Sequence, residues 1–514
     1  MAGAVLGLPA AGQQTPRGRV FRTDIPRRLD RLPWSRWHWL VVIALGITWV
    51  LDGLEVTVVG AIGSVLTERD TLQLTDTQVG AAATAYLIGA VAGALLFGRL
   101  TDLWGRKRLF MLTLGLYLLA TILTAFSWSF LSFAFFRFLT GAGIGGEYSA
   151  INSAIDELIP ARVRGWVDLA INGSYWWGTL FGSAITIFLL NPHLLPHSIG
   201  WRLCFGLGAV LGIGVLLIRR YVPESPRWLM IHGQVEAAEQ VVGEIEQGVM
   251  RTTGLRELPK PEGSITIRSR GPVTFREIAH VLFKTYPTRA ILAFTMMITQ
   301  AFLYNAIFFT YALVLTNFYH VPSGSVGWFI IPFALGNILG PWTLGRLFDT
   351  WGRRQMIALT YGLSGALLAV TGWLFVQGAL NAVTQTIAWS IIFFFASAGA
   401  SSAYLTVSEI FPLELRAMAI AFVYAIGTLV GGALAPTIFA ALIGTGKAEN
   451  VFYGYLLGAA LMLVTVPVVG AFGVAAEQKS LESIATPLSA AQDEQRGPSD
   501  SPPAWRLHSG MDGR

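Results

Sequence analysis

Two carboxyl side chains, Asp52 and Glu55, stand three residues apart in the apolar run 38–65, and Arg137 shares the run 129–155 with a third carboxyl, Glu147. A spacing of three puts Asp52 and Glu55 on one side of a helix. An ionised group in such a run costs several kcal/mol unless it is paired or solvated by a cavity, so each of the four is a candidate for function. Burial favours the neutral carboxyl and a nearby guanidinium favours the ionised one. A Glu55–Arg137 or Asp52–Arg137 pair that forms and breaks would therefore capture and release a proton. Read as a fixed ion pair, the same groups would only set the register of two helices.

A second set of residues suits the binding of a small polar solute. The run 166–190 carries Asn172, Tyr175, Trp176 and Thr179, and the run 290–316 carries Gln300, Tyr304 and Asn305. Amides and hydroxyls supply hydrogen bonds, and rings supply flat apolar contact. Asn172, Trp176 and Thr179 follow the i, i+4, i+7 spacing of one helical face. The alternative is that they are polar contacts between helices and rings against lipid.

The elements that must position these groups follow from composition. Of 514 residues 54% are hydrophobic and 13% are charged, with a mean hydropathy of +0.57. Water-soluble domains carry about 25% charged residues, so the composition excludes an ordinary globular, disordered or fibrous chain and leaves a polytopic membrane protein. A helix needs about 20 apolar residues to cross a bilayer. Twelve runs qualify, near 38–65, 79–98, 109–127, 129–155, 166–190, 201–218, 290–316, 325–345, 356–377, 383–405, 417–443 and 451–474. The polar stretch 219–289 separates six from six. The expected fold is all-α, a polytopic membrane protein with twelve transmembrane helices in two pseudo-symmetric six-helix bundles. Its expected parts are a tail (1–36), a bundle (37–218), a central loop (219–289), a bundle (290–475) and a tail (476–514).

Of 36 Lys and Arg residues, the side away from both termini holds only Arg69, Arg202 and Lys447, and Arg137 stands deep within a run. That bias predicts cytoplasmic termini in a cell membrane, plasma or bacterial inner. The basic residues act as topology signals and not as a nucleic-acid patch. No apolar signal segment stands in the first 36 residues. From about Ser480 the tail turns to Ser, Pro, Asp, Gln and Gly and is expected to be disordered. Val235 to Gly248 is expected to form an amphipathic helix in the central loop.

Cys204 is the single cysteine, so no disulfide or cysteine metal cluster forms within the chain. His193 and His197 have i, i+4 spacing but sit in a Pro-flanked loop. Gly446-Lys447 is followed by Ala448, which breaks the phosphate-loop pattern, and no nucleophile triad stands out. The expectation is no enzyme, no metal and no cofactor.

Self-comparison adds the most specific signal. Gly98-Arg99-Leu100-Thr101-Asp102-Leu103-Trp104-Gly105-Arg106-Lys107 recurs as Gly345-Arg346-Leu347-Phe348-Asp349-Thr350-Trp351-Gly352-Arg353-Arg354. Glu157-Leu158-Ile159-Pro160 with Arg164 recurs as Glu409-Ile410-Phe411-Pro412 with Arg416. Both pairs take the same place in each half, so the chain is an internal duplication. Paired charges on one face could hold the halves together there. Asp102, Arg106, Glu157, Arg164 and Glu224 are the gating residues expected in the first half, and Asp349, Arg353, Glu409 and Arg416 in the second. Simple anchoring of loops is the alternative.

The repeated loop resembles the signature G-x-L-x-D-x-x-G-R-K/R of the major facilitator superfamily. Arg137 to Gly145 (RFLTGAGIG), Pro223 to Leu229 (PESPRWL) and Ser408 to Arg416 (SEIFPLELR) resemble its sugar-porter and related organic-solute branches. Asp52-Gly53-Leu54-Glu55 and Gly145-Gly146-Glu147-Tyr148 are similar to segments of aromatic-acid and metabolite symporters. The resemblance implies two bundles with a substrate site between them near mid-membrane. It matches Glu55 and Arg137 to a proton-coupling pair, and Asn172, Gln300 and Asn305 to solute-binding positions. The chain departs from the sugar-porter pattern at Leu303-Tyr304, Phe309-Thr310 and Ala398 to Tyr404, which turns the expectation away from a hexose. The expected partners are a small-molecule solute, a proton and the lipid bilayer, with a monomer as the working unit. The expected activity is proton symport of a small polar organic solute, an organic or aromatic acid or a sugar-like polyol. An uncoupled uniporter or exporter, or a membrane solute sensor without turnover, are the other readings.

Overall fold

The structure, a computed structural model, describes residues 20–488 except 64, 192, 220–222, 262, 269–273, 323–324, 413, 434 and 487. Strand β1 (Val20–Thr23) and helix α1 (Ile25–Asp30) precede the first long helix, α2 (Arg36–Ile62), which is followed by α3 (Asp76–Trp104), α4 (Arg106–Ala125) and α5 (Phe130–Leu158). The fifth run divides into α6 (Arg164–Gly173) and α7 (Tyr175–Leu189), and α8 (His197–Arg219) closes the first half. The connection holds α9 (Pro226–Ile231), α10 (Val235–Thr253), β2 (Ile265–Arg268) and α11 (Phe275–His280). In the second half α12 (Pro287–Leu303) passes through a π-helical turn, Tyr304–Phe308, into α13 (Phe309–Tyr319). Then come α14 (Val326–Thr350), α15 (Arg353–Val376) and α16 (Ala382–Ile410). Helix α17 (Arg416–Gly427) runs through another π-helical turn, Thr428–Gly432, toward α18 (Ala435–Gly444), and α19 (Ala448–Phe472) and α20 (Leu481–Ile484) complete the described chain.

Among the described residues nine helices are long and apolar enough to cross a membrane. The three expected runs outside that group are helical too, but α5 carries Arg137, Glu147, Asp156 and Glu157, the fifth run breaks at Ser174, and the eleventh contains a π-helical turn. Large apolar side chains on the bundle's outside, among them Ile43, Leu96, Leu119, Phe188, Leu339 and Val370, are exposed. Water penalises such a surface and lipid does not.

The duplication is visible in the geometry. Helices α5 and α16 are each 29 residues long and begin at a polar cap, Ser129 accepting from the Ser132 N–H and Asn381 from the Thr384 N–H. Gly105 (φ 91°) and Gly352 (φ 123°) make the same tight turn in the two repeated loops, a backbone region that disfavours any side chain. Where α3 crosses α5, Gly93 and Gly145 lie against the backbones of Ala142 and Ala90, so any Cβ there would strike a main chain.

The face that carries both chain ends is folded, not loose. Strand β1 pairs antiparallel with β2, Val20 opposite Arg268. Helices α1, α9 and α10 bury Ile25, Leu29, Trp228, Met230, Val242 and Ile245 together. The amphipathic helix of the connection runs on to Thr253 and stops at left-handed Gly254. The expected disorder from Ser480 is corrected for residues 480–488: Leu481, Ile484 and Ala485 are buried, and Glu482 bonds Arg227 at 3.1 Å. Three apolar side chains and one charge dock this segment, too few to shift an average composition. The tail beyond 488 lies outside the described residues.

Arg28 donates to both oxygens of Glu246 (3.0 and 2.7 Å) and Arg31 donates to it at 2.5 Å. Burial works against ionisation of Glu246, yet the Arg28 and Arg31 guanidinium groups hold its carboxyl below the usual range. Its contribution to docking α1 is therefore present above the usual carboxylate value and is lost as pH falls through the lowered one. Glu246→Gln should raise amide hydrogen exchange across 25–32 at neutral pH while the long helices stay protected. Wild-type exchange in that segment would show that the apolar contacts alone hold it.

Candidate functional site

The four expected intramembrane charges do not act as one group. Helix α2 directs Asp52 and Glu55 to different neighbours, because residues three apart differ by about 60° around a helix axis. Glu55 forms an ion pair with Arg137 of α5 and accepts from Thr121 Oγ1 of α4 at 3.3 Å. Asp52 accepts from the Tyr86 hydroxyl of α3 at 2.8 Å and from the Tyr148 hydroxyl of α5. The Arg137 guanidinium lies 4.5 Å from the Tyr86 ring centroid, so Tyr86 touches both charged sites. Asp52, Glu55 and Arg137 are 1%, 3% and 1% exposed. Glu147 is buried beside Tyr148 on α5, away from the cavity wall. A fifth buried charge, Asp168 on α6, was legible within the run 166–190 and escaped the reading of that run as solute contacts.

A cavity of about 150 Å³ lies between the halves. The first half contributes Trp49, Asp52, Tyr86, Tyr148, Asn172, Tyr175 and Trp176. The second contributes Gln300, Tyr304, Asn305, Phe308, Ser397, Ser401, Tyr404, Tyr424 and Thr428. Among the described residues no Lys, Arg or His lines it. Six of the seven expected solute residues are thus at the wall: Asn172, Tyr175, Trp176, Gln300, Tyr304 and Asn305. Thr179 is not, although it is fully buried. The fifth run tightens at Ser174, whose N–H bonds the Ile171 carbonyl three residues back. Trp49, Tyr86 and Tyr424 went unread; each is a lone polar aromatic near the middle of an apolar run. The π-helical turns Tyr304–Phe308 and Thr428–Gly432, which widen the helix locally, reach this wall through Tyr304, Asn305 and Thr428.

At the terminal face the expected gating residues separate by role. In the first half Arg106 pairs with Glu157 (3.1 Å), and Glu224 caps α4 by accepting from the Arg106 and Lys107 N–H groups (2.8 and 3.2 Å). Burial pushes the Glu224 carboxyl up, against the pull of those N–H groups. These contacts stay within one half and its connection. The Asp102 side chain lies outside the described residues. In the second half Asp349 reaches across: it accepts from the N–H groups of Gly165 (3.0 Å) and Trp166 (2.7 Å), the first turn of α6. A Cβ on Gly165 would collide with Asp349 and Arg353, which is why the approach needs glycine. Arg353 grips Glu409 at 3.1 Å through two nitrogens. Arg164 stands 3.8 Å from Glu409, and Arg416 3.7 Å from Asp156, both across the halves.

Asp156, Arg227 and Glu482 complete this cluster. Arg227 donates to the Glu157 carbonyl at 2.7 Å as well as to Glu482. Burial works against ionisation of Glu482, but Arg227, with Arg416 and Arg164, holds its carboxyl below the usual range. The cross-half contacts close the terminal face under the cavity.

A family model described as sugar (and other) transporter matches residues 42–488. The niacin transporter NiaP of Acinetobacter baylyi is 27% identical over 464 residues, covering 90% of this chain and 99% of its own. The putative metabolite transport protein YdjK of Escherichia coli is 28% identical over 487 residues, 91% of this chain and 99% of its own. A solved structure of the proton:xylose symporter XylE, bound to 6-bromo-6-deoxy-D-glucose, superposes with a TM-score of 0.72 at 18% identity, covering 87% of this chain and 98% of that one.

Asp349→Asn removes a charged acceptor from the α6 N-terminus and should weaken closure by about 1–2 kcal/mol. Maleimide labelling of a single cysteine at buried Thr406, with Cys204 replaced, should then quicken about five- to thirty-fold. An unchanged labelling rate would remove Asp349 from the closure.

Proposed function

The chain belongs to the sugar (and other) transporter family of the major facilitator superfamily, and from that premise we propose that it is a proton-coupled symporter of a single-ring polar organic solute working by alternating access. Membership makes it a multi-pass transporter and not an enzyme. The excess of Lys and Arg favours a cytoplasmic terminal face in a cell membrane, with the chain acting as a monomer. On this reading the solute enters from the opposite side and leaves when the Asp349–α6 contact parts.

One observation carries the coupling. Two carboxyls and one guanidinium, Asp52, Glu55 and Arg137, are together almost fully buried. With all three ionised, one negative charge stays uncompensated at membrane depth, and a single proton removes it. Asp52 borders the cavity and no basic residue does. A solute anion therefore meets a like charge unless the proton has bound, so proton and anion favour each other's binding.

The solute reading rests on the wall. Nine of its twenty residues are aromatic, and a cavity of about 150 Å³ holds one benzene ring. A ring acid such as niacin, named for the Acinetobacter relative, fits this wall better than xylose, named for the solved neighbour, because a polyol uses fewer flat apolar faces.

The test is uptake of labelled nicotinate and xylose by proteoliposomes, with and without an inward proton gradient. Accumulation of nicotinate above equilibrium only with the gradient is expected. Either Glu55→Gln or Asp52→Asn leaves the trio neutral without a proton, so each should abolish accumulation while exchange partly survives. Wild-type accumulation in either variant would overturn the charge argument.

A further inference from the structure

We propose that Asp168 is a second proton site, apart from the trio: its carboxyl carries a proton while the terminal face is closed and gives it up to water when that face opens. The inference rests on the alternating-access reading, because it needs the terminal face to open, and it adds a proton to that movement.

The place of Asp168 carries it. It lies on α6 one turn before Asn172, which belongs to the cavity wall, and one turn after Arg164, which belongs to the terminal network. Asp168 is 0% exposed. Its Oδ2 accepts from the Asn172 amide at 3.1 Å. Among the described residues its Oδ1 has no hydrogen-bond partner, and the ion pairs around it, Arg164–Asp156, Arg353–Glu409 and Arg416–Asp156, leave it out. An ionised carboxyl in such a place leaves a whole charge unmet; a neutral one leaves a single hydroxyl.

The surroundings do not supply the missing charge. Helix α5 ends and α6 begins at the terminal face, and the Asn172–Asn152 contact at 3.2 Å sets their register, so Asp156, one turn beyond Asn152, lies level with Asp168. Besides Asp156, the groups that face Asp168 are Glu409 from α16 and Arg353 from α15. Helix α14 brings Asp349, which accepts from that same arginine at 2.9 Å. On α2, Arg36 is exposed, His38 is bonded to Ser35, and Asp52 and Glu55 belong to the trio. The arginines are taken: Arg353 holds Glu409 and Asp349, while Arg164 and Arg416 stand 4.0 and 3.7 Å from Asp156. Three arginines thus meet three carboxylates, and an ionised Asp168 would be a fourth. Asp156 and Glu409 each have cations beside them, so Asp168 is the carboxyl that keeps a proton. Opening carries Glu409 and Arg353 away with the second half and admits water. The water takes the proton from the carboxyl oxygen and solvates the carboxylate left behind.

The closed chain then binds one proton more than the open chain, so opening is favoured as pH rises, from the ordinary carboxylate range up to the value at which Asp168 ionises in the closed chain. Maleimide labelling of a single cysteine at buried Thr406, with Cys204 replaced, is followed from about pH 5.5 to 7.5 on the purified full-length chain in detergent. Dividing by the labelling of a single cysteine at exposed Lys447 removes the thiol's own pH dependence. Glu55→Gln is the background, because its trio needs no proton. Labelling there should quicken about tenfold per pH unit, and adding Asp168→Asn should hold it within about twofold across the range. Measurable labelling that ignores pH in the Glu55→Gln chain, or a slope that survives Asp168→Asn, overturns the proton site alone. No labelling at any pH overturns it together with the opening on which it rests. Asparagine copies the neutral carboxyl, so a chain that folds with Asp168 and fails to fold with Asp168→Asn also counts against the proposal. Coupling is judged separately: a slope owed to Asp168 in a chain that never accumulates solute removes symport and keeps the proton site.

Discussion

A charge taken out of water must find an opposite charge or a set of hydrogen bonds, and this requirement organises the interior of the bundle. Two places accumulate buried charge. One is the trio Asp52, Glu55 and Arg137 near mid-membrane, and the other is the network from Asp156 to Glu482 at the terminal face. Between them lies the cavity, whose wall contains one carboxyl and no cation. The trio has an odd number of charges, so it is electrically complete only with one proton added. The terminal network is rich in arginine, so it is complete only while the halves stay together. On the proposed reading the two clusters answer to different events, a proton in the first case and a separation of surfaces in the second.

The terminal face reuses one device. A carboxylate placed at the first N–H groups of a helix satisfies donors that the helix cannot, and it meets the positive end of the helix dipole. Glu224 does this for α4 and Asp349 for α6. The first capping contact joins a half to its own connection; the second joins the two halves. Within the repeated loops the described partners match: Glu477 accepts from the Arg353 N–H at 3.4 Å as Glu224 does from that of Arg106, and Arg353 pairs with Glu409 as Arg106 does with Glu157.

Three irregular turns lie at the cavity, while a further π-helical turn, Val281–Thr285, precedes α12 and adds no residue to the wall. The tightened turn at Ser174 and the π-helical turns at Tyr304–Phe308 and Thr428–Gly432 all fall on helices that line it or flank it. A regular helix buries its backbone polar groups and projects side chains at fixed angles. Loosening or tightening one turn re-aims them, and in a bundle that is affordable only where other protein or a cavity covers the freed groups.

The amino-acid sequence by itself determined the class and the plan. Twelve apolar runs, the skew of Arg and Lys, and the doubled loop from Gly98 and Gly345 follow from transfer energies and from local turn chemistry, which depend on composition and spacing alone. The pairing of Glu55 with Arg137 was legible too, because few ionisable groups stand in those runs. What only the tertiary structure decided is which neighbour each group meets. Asp52 and Glu55 share a helix side by spacing, yet one faces the cavity and the other α4 and α5. Thr179 shares a stripe with Asn172 and Trp176 by spacing, yet only those two reach the cavity wall. Arg227 and Glu482 acquire their roles from contacts with segments far away in sequence, and a tail segment read as polar folds because three of its apolar side chains are buried. Burial and hydrogen-bond direction are set by long-range packing, and no local pattern encodes them.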